Sequence, residues 1–79
     1  MAKVKHYRDE EAIIRFGEKV RELRMKQSMT IEEFANSNNL HVNQLARIER
    51  GETNTTISYI FLLAELFKVN PSELIDFGK

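Results

Sequence analysis

From Thr30 to Gly51 the chain carries two helix starts and two helix stops in close succession. That punctuation restricts it to short helices packed against one another. Thr30-Ile31-Glu32-Glu33 is a capping box: the threonine hydroxyl accepts the Glu33 N–H, and the Glu33 carboxylate reaches back to the Thr30 N–H. The polar run Ser37-Asn38-Asn39 ends this helix, in which Phe34 and Ala35 face inward. Asn39 is predicted at positive φ, because Asn is one of the few L-residues that visits the left-handed region readily. The next helix is predicted over Val42–Arg50, with Gly51 as its stop. Helices this short are marginal alone in water, so each must bury an apolar face against a neighbour.

The flanking sequence supplies those neighbours. Ile13, Phe16, Val20 and Leu23 recur at three- and four-residue steps, one face of a helix that Asp9-Glu10-Glu11 is suited to begin. Beyond the Glu52–Thr56 loop, Ile57–Lys68 reads as a fourth helix, apolar nearly all round. Asn70-Pro71-Ser72-Glu73 opens a fifth, with Pro71 at its first position; this helix carries Leu74, Ile75 and Phe77. No stretch alternates as a strand does. The expectation is an all-α, compact five-helix domain over residues 13–79, preceded by a charged arm, 1–12, whose last residues can begin helix one. Seventy-nine residues suffice for one modest core and no second domain.

Several function classes drop out. The chain has no cysteine, hence no disulfide framework and no thiolate metal site. Nothing approaches the roughly 20 apolar residues of a membrane span, and the first residues lack a signal-peptide core; the expected compartment is the cytoplasm. His6 and His41 have no companions at ligand spacing, Glu32 and Glu33 diverge on a helix start, and the three glycines form no phosphate-cradling loop. No enzyme, metal or cofactor is expected. Net charge is zero but unevenly spread: residues 1–27 hold eight Lys/Arg against five acids, and residues 52–79 hold two against four. Lys3, Lys5, His6 and Arg8 could form a basic arm along a polyanion, but a frayed terminus is the commoner fate of such a segment.

The polar side of the Val42–Arg50 helix is unusual. At about 100° per residue, Leu45 and Ile48 point one way, joining Leu40 in the core, and Asn43, Ala46, Arg47 and Arg50 form a stripe on the other side. On an arbitrary helix such a face is more often simply solvated. Here its chemistry suits a duplex groove: an arginine fork matches guanine O6 and N7, Asn or Gln pairs with adenine, and small Ala46 permits close approach.

The run MTIEEFANSNNLHVNQLARIERGE resembles the helix-turn-helix of the Cro/repressor-type (Xre-like, lambda-repressor-like) DNA-binding domains of bacteria and phages. The likeness extends over about residues 13–75 and includes Ile48-Glu49-Arg50-Gly51, Leu63-Ala64 and Val69-Asn70-Pro71-Ser72-Glu73-Leu74. It implies a sequence-specific transcriptional regulator that inserts helix 42–50 in the major groove of double-stranded DNA. Val42, Asn43, Gln44 and Arg47 would read bases. The backbone N–H groups of Thr30 and Ile31, with Arg50, Thr53 and Asn54, would hold phosphates, and His41 would cap the recognition helix or lie near a phosphate. Arg24 and Glu49 would form a partly buried ion pair bracing helix one against the recognition helix. A homodimer through the C-terminal helices is implied, with Tyr59, Leu62 and Phe77 as contact candidates; if these stay inside, helix four is a central core helix.

The chain departs from the family pattern at four places. Ile31 stands where Gln often braces a phosphate, Asn39 and Lys68 stand where Gly is common, and Thr55 replaces a loop Pro. The alternative function is a protein-interaction module or antitoxin-like partner that kept the fold without strong DNA binding.

Overall fold

Asp9 opens the first helix: its carboxylate accepts the Ala12 N–H at 3.0 Å. The computed structural model describes residues 7–77 and, among them, five helices: α1 (Glu10–Lys26), α2 (Ile31–Ser37), α3 (Val42–Glu49), α4 (Ile57–Phe67) and α5 (Pro71–Ile75). Helix α1 takes in residues 10–12, the junction between the expected arm and domain. The capping box at α2 is formed in full, with Glu33 N–H to Thr30 Oγ1 at 3.1 Å and Thr30 N–H to Glu33 Oε1 at 2.8 Å. Thr56 accepts the Tyr59 N–H at 3.2 Å, and Glu73 accepts the Asn70 N–H at 3.1 Å. Orphan amides at these helix starts thus find side-chain acceptors.

Three helix ends share one scheme. At α2, Leu40 N–H reaches Ala35 C=O and Asn39 N–H reaches Asn36 C=O. At α3, Glu52 and Gly51 donate to Arg47 and Ile48; at α4, Val69 and Lys68 donate to Ala64 and Glu65. The pivot residues Asn39, Gly51 and Lys68 have φ of 58°, 72° and 59°. This paired i−5 and i−3 bonding is the Schellman motif, which needs a left-handed residue at the turn. The expectation for Asn39 is met. Ser28 also sits at φ 57°, which nothing in the sequence signals.

The core joins all five helices: Phe16 and Val20 from α1, Phe34 and Ala35 from α2, Leu45 and Ile48 from α3, Leu63, Ala64 and Phe67 from α4, and Leu74 from α5. Phe34 and Phe67 stack with centroids 5.0 Å apart, tying α2 to α4. Leu45 is wholly buried, so Leu45→Ala is expected to cost about 2–5 kcal/mol. Gly17 lies buried in mid-α1, where glycine costs about 0.5–1 kcal/mol relative to alanine. Its reason is contact: a Cβ there would overlap the Ile48 carbonyl oxygen and lie 3.0 Å from that of Glu49. The backbones of α1 and α3 meet at this glycine.

Three expectations need correction. Helix α3 ends at Glu49 with Arg50 as its cap, and α4 ends at Phe67 because Lys68 turns left-handed. Phe77 lies beyond α5, which stops at Ile75. Helix α4, apolar nearly all round, is covered on one side only: Leu63, Ala64 and Phe67 are buried and Tyr59, Ile60 and Leu66 pack against the core, while Ile57 is 72% and Phe61 57% exposed. Among the described residues, no helix is long and apolar enough to cross a membrane, and no cluster of side chains is suited to a metal ion.

Candidate nucleic-acid interface

The face of α3 opposite the core is open. Leu45 and Ile48 are buried, while Asn43, Gln44 and Arg47 are exposed and Val42 and Ala46 half-buried. Arg50 follows as the exposed C-cap. The helix is eight residues long, so its amides and arginines span little more than two turns. His41 occupies the N-cap position, but its side chain makes no capping bond; of its two expected roles, the cap is absent and the place near a phosphate is the one left.

The two arginines differ in their surroundings. Arg50 Nε donates to Glu52 Oε2 at 2.7 Å and its Nη2 to Oε1 at 3.3 Å. That hydrogen bonding, and then the opposite charge, raises the arginine pKa further. The same bonds hold the Glu52 carboxyl below its usual value, with Arg47 adding a smaller attraction. The Arg47 side chain has no hydrogen bond among the described residues and presents its donor fork to solvent. Sequence reading missed Glu52; its only signal is an acid two residues beyond an arginine, a pattern common on solvated surfaces.

Around this stripe lie the other expected contacts. Thr53 (half-buried) and Asn54 (exposed) occupy the loop after α3. Thr30 and Ile31 begin α2, but the Thr30 amide is taken by Glu33. Of the two backbone donors expected for phosphate, Thr30 would thus have to share or exchange its bond to Glu33. In the N-terminal arm, Arg8 is held by Glu10 at 2.9 Å and by the Glu52 carbonyl at 3.4 Å; Lys3, Lys5 and His6 lie outside the described residues.

Behind the stripe, Arg24 and Glu49 form the expected pair. Nε and Nη2 of Arg24 donate to the two carboxylate oxygens of Glu49 at 2.7 and 2.8 Å, and Nη1 donates to the Met29 carbonyl at 2.8 Å. The side chains are 11% and 4% exposed. The Glu49 hydrogen bonds raise the Arg24 pKa against the opposing cost of burial. A fork of this geometry fixes orientation as well as distance, so the rear of α3 is locked while its front is free.

Of the three dimer candidates, only Leu62 is open. Tyr59 is packed against the core with its hydroxyl buried and unpartnered. Phe77 is half-buried against the same core, and its carbonyl accepts Arg15 Nη1 at 3.2 Å. The apolar groups that α4 turns outward are Ile57, Phe61 and Leu62.

A helix-turn-helix family model matches residues 20–74, which include both motif helices and the closing pair. Over 63 residues the chain is 36% identical to the control protein C.BamHI of Bacillus amyloliquefaciens, a match over 78% of each chain. The crystal structure of the restriction-modification controller protein C.AhdI from Aeromonas hydrophila superposes with a TM-score of 0.71 at 31% identity. That match covers 78% of this chain and 94% of the other. The DNA-binding domain of BldD shares the fold, with a TM-score of 0.80 at 21% identity over 86% of this chain and 99% of that one.

Proposed function

The chain belongs to the helix-turn-helix family and is a DNA-binding regulator rather than an enzyme; we propose that it reads double-stranded DNA by laying α3 in the major groove. The observation that carries this reading is the open Asn43–Gln44–Arg47–Arg50 stripe on a helix whose other side is locked to α1. Arg47 and the amides Asn43 and Gln44 are the base readers, with Val42 placed for a thymine methyl. The Ile31 amide, Arg50, Thr53 and Asn54 hold phosphates and set register. Glu52 already holds Arg50, so a phosphate must compete with or share that fork. The cytoplasm is the compartment where such a regulator meets bacterial DNA.

The regulator acts as a homodimer in this reading. Its contact is the outward face of α4, Ile57, Phe61 and Leu62, which in a lone chain would be apolar surface left in water. Two copies related by a two-fold axis read an inverted repeat, with half-sites about one helical turn or a multiple apart. Selection from a randomised duplex pool tests the proposal. Enrichment of an inverted repeat supports it. No enrichment, with no salt-dependent binding to any duplex, would leave the protein-interaction module instead.

A further inference from the structure

We propose that Gly17, with the Ile14–Gly51 contact beside it, is a positioning seat that sets how α3 is presented to base edges. The proposal rests on α3 being the reading helix. Two backbone approaches between α1 and the end of α3 leave no room for a Cβ. At Gly17 the added carbon would overlap the Ile48 carbonyl and stand 3.0 Å from the Glu49 carbonyl oxygen. At Gly51, which has φ 72°, it would stand 2.9 Å from Ile14 Cγ1 and 3.0 Å from Ile14 Cα. The Arg24–Glu49 fork is a third tie at the same end.

Residues 14, 17 and 24 lie on one face of α1, and all three grip residues 48, 49 and 51. Against α1, therefore, α3 is tied by its C-terminal end, with Leu45 seated in the core at mid-helix, whereas Asn43 and Gln44 project from its other end, nearly two turns from the tie. A displacement at the seat swings the reading end. Base-specific hydrogen bonds require placement within about 0.5 Å. Phosphate contacts made by long, exposed side chains through charge tolerate more, since attraction to the backbone is largely independent of sequence. The seat should govern discrimination between sequences far more than affinity for DNA in general.

The experiment compares wild type, Gly17→Ala and Ile14→Ala, each folded by circular dichroism and assayed well below its Tm. Affinities are measured for the selected duplex and for random duplex across a salt series. Gly17→Ala is expected to lower the ratio of specific to random affinity about tenfold or more. Its affinity for random duplex and its salt slope should stay at the wild-type values. Should Gly17→Ala fail to fold, Ile14→Ala carries the test, because Ile14 is 46% exposed and its truncation only loosens the seat; a fall in the ratio is again expected. A purely structural role would lower Tm and leave the ratio unchanged in every folded variant, which would overturn this inference alone. A wild type with no sequence preference would overturn the DNA reading and this inference together.

Discussion

Arg24 and Glu49, 25 residues apart in sequence, meet through two hydrogen bonds of 2.7 and 2.8 Å that join α1 to the last residue of α3. Removing one partner strands the other charge in a nearly closed site. Glu49→Ala is expected to cost about 3–5 kcal/mol by urea denaturation, whereas replacing both residues with apolar side chains of similar volume should cost far less. A loss below about 1 kcal/mol for Glu49→Ala would place the pair with exposed ion pairs.

Lys68 and Asn39 hold left-handed turns that glycine adopts without strain. Lys68→Gly is expected to stabilise the protein by about 1 kcal/mol, because Lys gains nothing local in that region. Asn39→Gly should be neutral or slightly stabilising, and Asn39→Val should cost about 1 kcal/mol or more. Thermal unfolding of the three variants checks the order; a destabilised Lys68→Gly would contradict it.

Tyr59 buries a hydroxyl that finds no partner, and burial pushes its phenol pKa up. Tyr59→Phe should therefore gain about 1 kcal/mol, since an orphaned polar group is removed. The sign with pH follows from linkage. A raised folded pKa leaves stability unaffected below the unfolded phenol value of about 10, then lowers it as pH rises through the folded value. Tyr59→Phe should flatten that alkaline decline. An unchanged decline would mean that another group causes it.

Phe61 stands 57% exposed on the outward face of α4 beside Ile57 and Leu62. Phe61→Glu should convert the proposed dimer to a monomer in analytical ultracentrifugation with little change in helix content, because the ring contributes little to the core. A monomeric wild type at high concentration would contradict the proposed interface.

Much of this was legible in the sequence because it depends on local chemistry. The Thr30 capping box, the Asn39 turn and the inward Leu45–Ile48 pair follow from residue type and helical period alone. The Arg24–Glu49 pair came from family resemblance, since no local signal links residues so far apart. What escaped depends on packing between elements. An apolar helix does not declare which side meets its neighbours, so the exposure of Ile57 and Phe61 and the inward Tyr59 hydroxyl required the fold. Gly17 reads as an ordinary helical glycine until α3 is seen against it. Glu52 shows its importance only once its carboxylate is found on Arg50.

The most direct test of α3 as the reading helix separates its two arginines. Arg47, free and mid-stripe, should reach base edges; Arg50, at the helix end and shared with Glu52, should meet phosphate. Affinity is measured for the selected operator and for random duplex across a salt series, for wild type, Arg47→Ala and Arg50→Ala. Arg47→Ala should lose about 1–3 kcal/mol on the operator and relax preference at one base pair. Arg50→Ala should weaken all duplexes about equally and reduce the salt slope by about one unit, less if Glu52 retains the fork. Equal, sequence-blind losses for both variants would make Arg47 a phosphate contact, and a wild type without salt-dependent binding would contradict the account at its centre.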